Sequence, residues 1–432
     1  MNILLLGASG FIGSALGLEL LREGHDVIAL GRDPGVGQAL LPAAEWRRGD
    51  LRQMIAPTDW RELLAGIEVV INAAGALQTG LRDDVDKVQH LAMAAMLEMA
   101  GELGVRHVVQ ISAAGADTES GTLFMASKAR ADAILAASGL EHTILRPGLV
   151  IGRNAFGGTE MLRIAAAAPM RLDIVGAGPI RCIALSDVIA AVQVALADPA
   201  RCRGIFDLVG REMQTLGELI AVHREWLGFA PHRHGLRLPI AALAVVGRLA
   251  DALGWFGWRS PLRSTALAVL TGGIDGEPDD AARLLGRDAL TVPSLFDQLG
   301  GAGKADRWHA RLAGLFPAAL LSLALLWLGS GILGFLYTEA ASALLVDSGM
   351  PTCLARASVI SGSIADLAIA LGLFWRPALP VALRASIYLA LAYLAGSLAL
   401  RPDLWLDPLG PMLKVLPILA LSAMCLAISE ER

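Results

Sequence analysis

The residues best suited to chemistry begin at the N-terminus, where the apolar run Ile3-Leu4-Leu5-Leu6 breaks directly into Gly7-Ala8-Ser9-Gly10-Phe11-Ile12-Gly13. The pattern predicts a strand, a tight turn and a helix start. Such a turn leaves the backbone N–H groups of Gly7 and Ser9 to Gly13, together with the positive end of the helix dipole, facing a gap that suits a pyrophosphate. A helix over 14–23 and a second strand over 25–30 follow, ending in Gly31-Arg32-Asp33. An arginine at that strand end can pair with the 2′-phosphate of NADP(H), whereas an acid there accepts hydrogen bonds from the ribose hydroxyls of NAD(H). Arg32 therefore favours NADP(H), and Asp33 keeps NAD(H) open. The plainer reading of Arg32 is a solvated turn residue.

The elements that must position these groups are bounded by composition. The chain has 432 residues, 55% of them hydrophobic, which is too apolar for an ordinary soluble protein and predicts membrane segments. Only 13 charged side chains lie in the 121 residues from Leu312 onward, so the division falls near Arg311. A net charge of −5 without a basic run excludes the electrostatic footprint of a nucleic-acid binder. Cys182, Cys202, Cys353 and Cys425 form no C-x-x-C pair, and His232 and His234 lack a nearby third ligand. No metal site or disulfide framework is expected. The N-terminal apolar run is too short, and lacks the basic flank, for a signal peptide.

A third strand over 46–50 ends in Gly49-Asp50-Leu51, and the fully apolar 69–71 ends in Asn72-Ala73-Ala74-Gly75. A helix over 86–103 and a strand over 105–111 deliver Ser112 at a strand's C-terminal end, where open parallel sheets bind ligands. Phe124-Met-Ala-Ser-Lys128 lies on the next helix, and a strand over 143–146 runs into Pro147-Gly148. Over about 1–299 this order resembles the short-chain dehydrogenase/reductase superfamily, in its extended or atypical branch. That branch includes an NADPH-binding accessory subunit of respiratory complex I. The resemblance implies an α/β Rossmann-type doubly wound parallel sheet with a small substrate-side region over about 147–306. It implies Asp50 and Leu51 near adenine, a cofactor turn at Ala73, Ala74 and Gly75, and Pro147 beside the nicotinamide. Ser112 takes the place of the catalytic Ser or Thr, and Lys128 that of the lysine that holds ribose. The plainer reading of Ser112 is a turn former or helix cap.

One departure bears on function. Family members place a Tyr four residues before the Lys as the proton donor, and here that position is Phe124, whose phenyl ring has no proton to give. Tyr337, Tyr388 and Tyr393 all lie in the apolar C-terminal part, and Ser127 is one position off the face shared by Phe124 and Lys128. Further on, 179–188 predicts a strand and a helix start with Ser186 as N-cap and Asp187 in the first turn. The apolar 239–258 carries Arg248 and Asp251 on one polar face, which predicts an amphipathic lid or interfacial helix, with core packing or a membrane span as alternatives.

Residues 312–337 carry no charge, and 357–375, 378–400 and 409–428 each carry one ionisable interruption, namely Asp366, Arg384 and Lys414. Four spans are predicted. Arg307, Arg311 and Arg376 flank them on one side, while the 338–351 loop has acids but no Lys or Arg. The positive-inside bias puts both termini, and the nucleotide-binding domain, in the cytoplasm at the inner membrane. With Leu409-Gly-Pro-Met-Leu-Lys414-Val-Leu-Pro417 opening the last helix, this stretch resembles the DoxX-like membrane family, whose name is associated with quinone-linked oxidation. Asp366 is either paired with Arg384 and Lys414 inside the bundle or holds a proton or quinone role. Arg384 can also snorkel to the cytoplasmic face.

The expected organisation is thus a nucleotide-binding domain over 1–306 and an all-α four-helix transmembrane domain over 307–432. Two functions follow. One is an oxidoreductase acting on a lipophilic carbonyl or quinone, with the proton from water, Ser112 or the substrate. The other is a non-catalytic cofactor-binding scaffold or assembly subunit of a membrane electron-transfer complex. A membrane complex or a homo-oligomer fits either, and no nucleic-acid partner is expected.

Overall fold

The structure, a computed structural model, describes residues 1–81, 83–258 and 262–430. The chain divides into two compact units, Met1–Gly254 with Ser260–Ala310, and Trp255–Arg259 with Arg311–Arg432.

Among its described residues the first unit has the strands β1 (Asn2–Leu6), β2 (Asp26–Gly31), β3 (Glu45–Arg48), β4 (Val69–Asn72), β5 (His107–Ile111), β6 (Glu141–Pro147), β7 (Leu149–Ile151), β8 (Arg171–Val175), β9 (Ile180–Ala184), β10 (Gly204–Leu208), β11 (Met213–Gln214) and β12 (Gly235–Pro239). Seven form one sheet in the order β10-β6-β5-β4-β1-β2-β3, every pairing parallel. The strand order reverses between β1 and β4, which opens a crevice at their C-terminal ends. A sheet covered on both faces needs strands apolar on both faces. β1 meets this by alternation, since Ile3 and Leu5 enter one core while Leu4 and Leu6 enter the other. Val69, Ile71, Val109 and Ile111 join the first core, and Val70 and Val108 the second.

The smaller region contains a three-stranded sheet, β11-β9-β7, and the β12-β8 pair, with a core around Ile151, Leu162, Ile180, Leu219 and Phe296. Several local expectations shift. The first helix, Phe11–Arg22, starts directly at Gly10 rather than at 14, because Gly13 can tuck against the turn. The helix expected over 86–103 opens with a π-turn, Lys87–Leu91, before Ala92–Leu103. Ser186 does not cap its helix: the N-cap position is Ala184, and Ser186 Oγ donates to Gln298 Oε1 at 2.7 Å. Asp187 is buried in that first turn and accepts from Arg287 at 2.6 Å and from the Leu290 N–H at 2.8 Å.

Helix Ile240–Trp255 is amphipathic, with Gly247 and Ala250 buried while Val245, Leu249 and Leu253 form an exposed stripe one turn apart. Its Asp251 accepts from Gln78, Arg263 and the Ser264 N–H, which ties the helix to the loop after β4.

Among the described residues four helices are long and apolar enough to cross a membrane, Lys304–Leu336, Thr352–Phe374, Arg376–Leu400 and Leu413–Glu430. Phe316, Leu323, Trp327, Ile369, Leu383 and Cys425 fill the bundle, while Leu325, Leu333, Leu371 and Leu398 face outward, as lipid requires. The expected pairing of Asp366 with Arg384 and Lys414 does not form. Asp366 accepts from Ser330 Oγ at 2.6 Å and from the Tyr393 hydroxyl at 2.9 Å. Arg384 sits near the start of its helix, where it reaches Glu430 at 3.2 Å, and Lys414 is exposed at the start of the last helix. Nearby, Trp327 Nε1 donates to Ser386 Oγ at 2.9 Å, and Ser386 bonds Ser422 at 2.8 Å.

Candidate functional site

The crevice beside β1 is shaped by glycines that cannot be replaced. Gly7 has φ +73°, and a Cβ there would lie 2.7 Å from Ala74 Cα, so the turns after β1 and β4 touch. A Cβ on Gly13 would lie 2.1 Å from the Gly7 carbonyl oxygen, so the helix can begin only where this residue is bare. Gly10 N–H donates to Gly7 O at 2.9 Å and closes the turn. Gly10 offers no side-chain cap, and the first turn holds no acid. The first N–H groups of the helix therefore lack an internal acceptor and face the crevice, with Ser9 exposed and Phe11 and Ile12 half-buried. This cradle fits a dinucleotide pyrophosphate.

At the end of β2, Arg32 pairs with Asp83 at 3.1 Å, and Asp33 caps the next helix by accepting from Gly35 N–H at 3.0 Å. Asp50 is engaged on both oxygens by Arg52, at 3.1 and 2.6 Å, which holds its carboxyl below the usual carboxylate range. Leu51 packs against the core edge. Asn72 shapes the turn after β4: its Oδ1 accepts from Ala74 N–H at 3.0 Å, while its amide donates to Gln110 at 2.9 Å. Ala73 and Ala74 are thereby fixed against Gly7, and Gly75 is exposed.

Lys128 lies behind this turn on helix Leu123–Ala137, only 5% exposed, and its Nζ donates to Ile111 O at 2.7 Å and Ala74 O at 3.4 Å. Burial pulls its pKa down to about 8. A Cβ on Gly75 would stand 3.6 Å from that ammonium, so the lysine lies directly beneath Gly75. Phe124 is half-buried one turn earlier, and Ser127 Oγ donates to the Phe124 carbonyl at 3.1 Å. Pro147 is buried at the end of β6, and its carbonyl accepts from Ala114 N–H at 2.9 Å.

Ser112 follows β5 as expected, but its hydroxyl is engaged. Its Oγ donates at 2.8 Å to Asp132 Oδ2, which also accepts from Arg146 Nε at 2.9 Å. Asp132 is 1% exposed, its Oδ1 lacks a hydrogen-bond partner, and burial raises its carboxyl pKa against the pull of Ser112, Arg146 and Lys128. Sequence reading missed this aspartate. The available signal is its place four residues after Lys128, which stacks Phe124, Lys128 and Asp132 along one helical face.

Residues 7–163 match the NAD(P)H-binding family, and residues 324–423 match the DoxX-like family. The chain joins an NAD(P)H-binding Rossmann domain to a DoxX-like domain. The chain is similar to a ceramide reductase of Caulobacter vibrioides, 24% identical over 328 residues that span 74% of this chain and 98% of the relative. It is also similar to the mitochondrial NADH dehydrogenase (ubiquinone) 1 alpha subcomplex subunit 9 of Arabidopsis thaliana, 27% identical over 249 residues, 54% of this chain and 60% of that one. The Rossmann domain shares its fold with the UDP-glucuronic acid 4-epimerase of Bacillus cereus, at TM-score 0.53 and 17% identity, covering 72% of this chain and all of that one. A nucleoside-diphosphate-sugar epimerase of Staphylococcus aureus superposes at TM-score 0.53 with 19% identity over 68% of this chain and 99% of that one.

Proposed function

We propose that this protein is a membrane-anchored, NADP(H)-dependent oxidoreductase that reduces a lipophilic carbonyl or quinone drawn from the bilayer, its nucleotide-binding domain on the cytoplasmic side of the inner membrane. The observation that carries the reading is the buried Lys128, held with Ser112 and Asp132 at the C-terminal ends of β4 and β5 next to the glycine cradle. Keeping a fully enclosed ammonium opposes folding, and such groups collect where charge is used. The bound cofactor supplies the hydride. Gly7, Ser9, Gly10, Phe11, Ile12 and Gly13 hold the pyrophosphate, Ala73, Ala74 and Gly75 line its path, and Lys128 holds ribose. Pro147 borders the nicotinamide end, Arg32 meets the 2′-phosphate by exchanging Asp83 for it, and Asp50 with Leu51 closes the adenine end.

Two further features support a lipophilic substrate. Helix Ile240–Trp255 exposes Val245, Leu249 and Leu253 as an apolar stripe. The similarity to a protein named for ceramide reduction extends over nearly all of that relative.

A second reading is favoured by one residue. Phe124 removes the phenol on which family reductases depend, and the similarity to a respiratory-complex subunit fits a domain that binds nucleotide without turning it over. The deciding experiment is single-turnover NADPH oxidation by the full-length protein in lipid nanodiscs against long-chain ketones, ceramide-like ketones and quinones. Substrate-dependent oxidation supports the reductase. Tight NADPH binding with none supports the scaffold.

A further inference from the structure

We propose that Asp132 serves the reductase as a proton-relay and positioning residue: it acts through Ser112, whose hydroxyl gives the substrate oxygen the proton that Phe124 cannot. The inference rests on the reductase reading above.

The geometry singles out this pair. Ser127 Oγ is committed to the Phe124 carbonyl at 3.1 Å and to Gln89 at 3.4 Å, one position off the helix face that carries Lys128. Lys128 Nζ is aimed at two backbone carbonyls. Ser112 is the hydroxyl of this set with an acid behind it, 2.8 Å away and sealed from solvent. Asp132 is not a simple ion-pair partner either. Arg146 approaches only Oδ2, and Oδ1 is buried without a donor, so the ionised form is incompletely satisfied. A carboxyl kept in that state gains from taking up a proton, and its one outlet is the serine.

The step balances as follows. Hydride adds to the carbonyl carbon and the C=O π pair moves to oxygen. The Ser112 hydroxyl turns from Asp132 Oδ2 to the substrate oxygen, which takes its proton as that O–H bond breaks, while the Asp132 carboxyl rotates its protonated oxygen toward Ser112 Oγ, which takes that proton as the carboxyl O–H bond breaks. The resulting carboxylate is balanced by Arg146 on β6 and Lys128 on its own helix. A solvent proton restores the acid through Ser112 after the alcohol leaves. In the reverse direction the same path removes the alcohol proton.

Four variants test it in the full-length protein. Asp132→Asn should lower single-turnover reduction at least about a hundredfold, the usual worth of a positioned proton donor, with the NADPH dissociation constant within about twofold of wild type. Ser112→Ala should cost about the same, and the double variant no more than either alone. Adding Phe124→Tyr to Asp132→Asn installs a direct donor and should recover at least about tenfold. In nucleotide-free protein, infrared pH titration should show a buried carboxyl C=O band that is lost in Asp132→Asn and shifted in Ser112→Ala. For wild type, reduction should decline as pH rises through the midpoint of that band, a limb absent from Asp132→Asn. Lys128 and Arg146 are the cations facing this carboxyl, and Asp207 on β10 acts on it through Arg146. Should Asp132→Asn fail to bind NADPH, the Ser112→Ala loss and the infrared shift decide. Wild-type turnover that Ser112→Ala or a folded Asp132→Asn leaves intact overturns the relay alone. Absence of turnover in wild type overturns the reductase reading and the relay with it.

Discussion

Replacing Lys128 with methionine should strengthen the fold of the nucleotide-binding unit while weakening its grip on nucleotide. The ammonium is enclosed, and burial brings its pKa from 10.5 to about 8. At 1.36 kcal/mol per unit this shift amounts to about 3 kcal/mol against the charged form in the folded state. Methionine fills similar volume without charge, but leaves the Ile111 and Ala74 carbonyls without their donor, a loss of roughly 1 kcal/mol each. The net gain at pH 7 is then about 1 kcal/mol, near 2 °C in melting temperature for a unit of this size. The sign reverses with pH. Between about 8 and 10.5 the unfolded chain binds the lysine proton and the folded chain does not, so wild-type stability rises with pH through that window. The methionine variant lacks this rise and should become the less stable protein by pH 10.5. Affinity for NADPH should fall about ten- to a hundredfold, the worth of a charge-assisted bond to ribose. Thermal unfolding followed by tryptophan fluorescence, alongside nucleotide titration, reads both quantities. Parallel pH slopes for the two proteins between 8 and 10.5 would refute the buried-charge argument, and unchanged NADPH affinity would remove Lys128 from the cofactor site.

Four other outcomes are expected. Arg32→Ala should weaken NADPH about ten- to a hundredfold and leave NADH unchanged, measured by titrating both; equal wild-type affinities would reject the 2′-phosphate contact. Phe124→Tyr places a hydroxyl one helical turn before Lys128 and should raise single-turnover reduction at least about tenfold in a reductase whose Ser112 and Asp132 do not deliver a proton, but change it less than about twofold where they do, and change nothing in a scaffold. Cys353 is exposed at the start of the second span while Cys182, Cys202 and Cys425 are buried; with both termini cytoplasmic, an impermeant maleimide should label intact cells expressing wild type but not Cys353→Ser. Asp366→Leu should destabilise the bundle by about 1–3 kcal/mol in nanodisc melts, because the Ser330 and Tyr393 hydroxyls lose their acceptor, with Asp366→Asn milder; the opposite order would show that the carboxyl is dispensable.

What could be read from the sequence is what depends on a short stretch alone. The runs at β1 and β4 are apolar on both faces, the pattern of strands in a parallel sheet covered on both sides. The glycines at 7 and 13 are legible for the same local reason, since positive φ at Gly7 and sub-van-der-Waals approach at both leave no room for a side chain. Boundaries fared worse where the deciding contact comes from elsewhere. The first helix reaches back to Phe11 because Gly13 fits under the Gly7 carbonyl, and the Ser186 cap failed because Gln298, 112 residues later, takes its hydroxyl.

The chemistry of the site was harder to read, because position and direction are separate facts. The sequence places Ser112 at a strand end, yet says nothing of where Oγ points, and that is fixed by an acid 20 residues on together with an arginine from a third element. The membrane part repeats the lesson. A search for the partner of Asp366 that weighs charge alone finds Arg384 and Lys414, but long cationic side chains at helix ends reach the interface at little cost, and Arg384 does so with Glu430. Hydroxyls carry no charge and barely alter hydropathy, so Ser330 and Tyr393 were invisible to that search although they are the donors a carboxyl at bilayer depth can meet without bringing in a second charge. In both units the acid that matters accepts from a hydroxyl, joined at Asp132 by the Arg146 guanidinium, and the measurement that distinguishes a structural clamp from a working proton site is the same: whether its removal changes a pH-dependent rate or only a melting temperature.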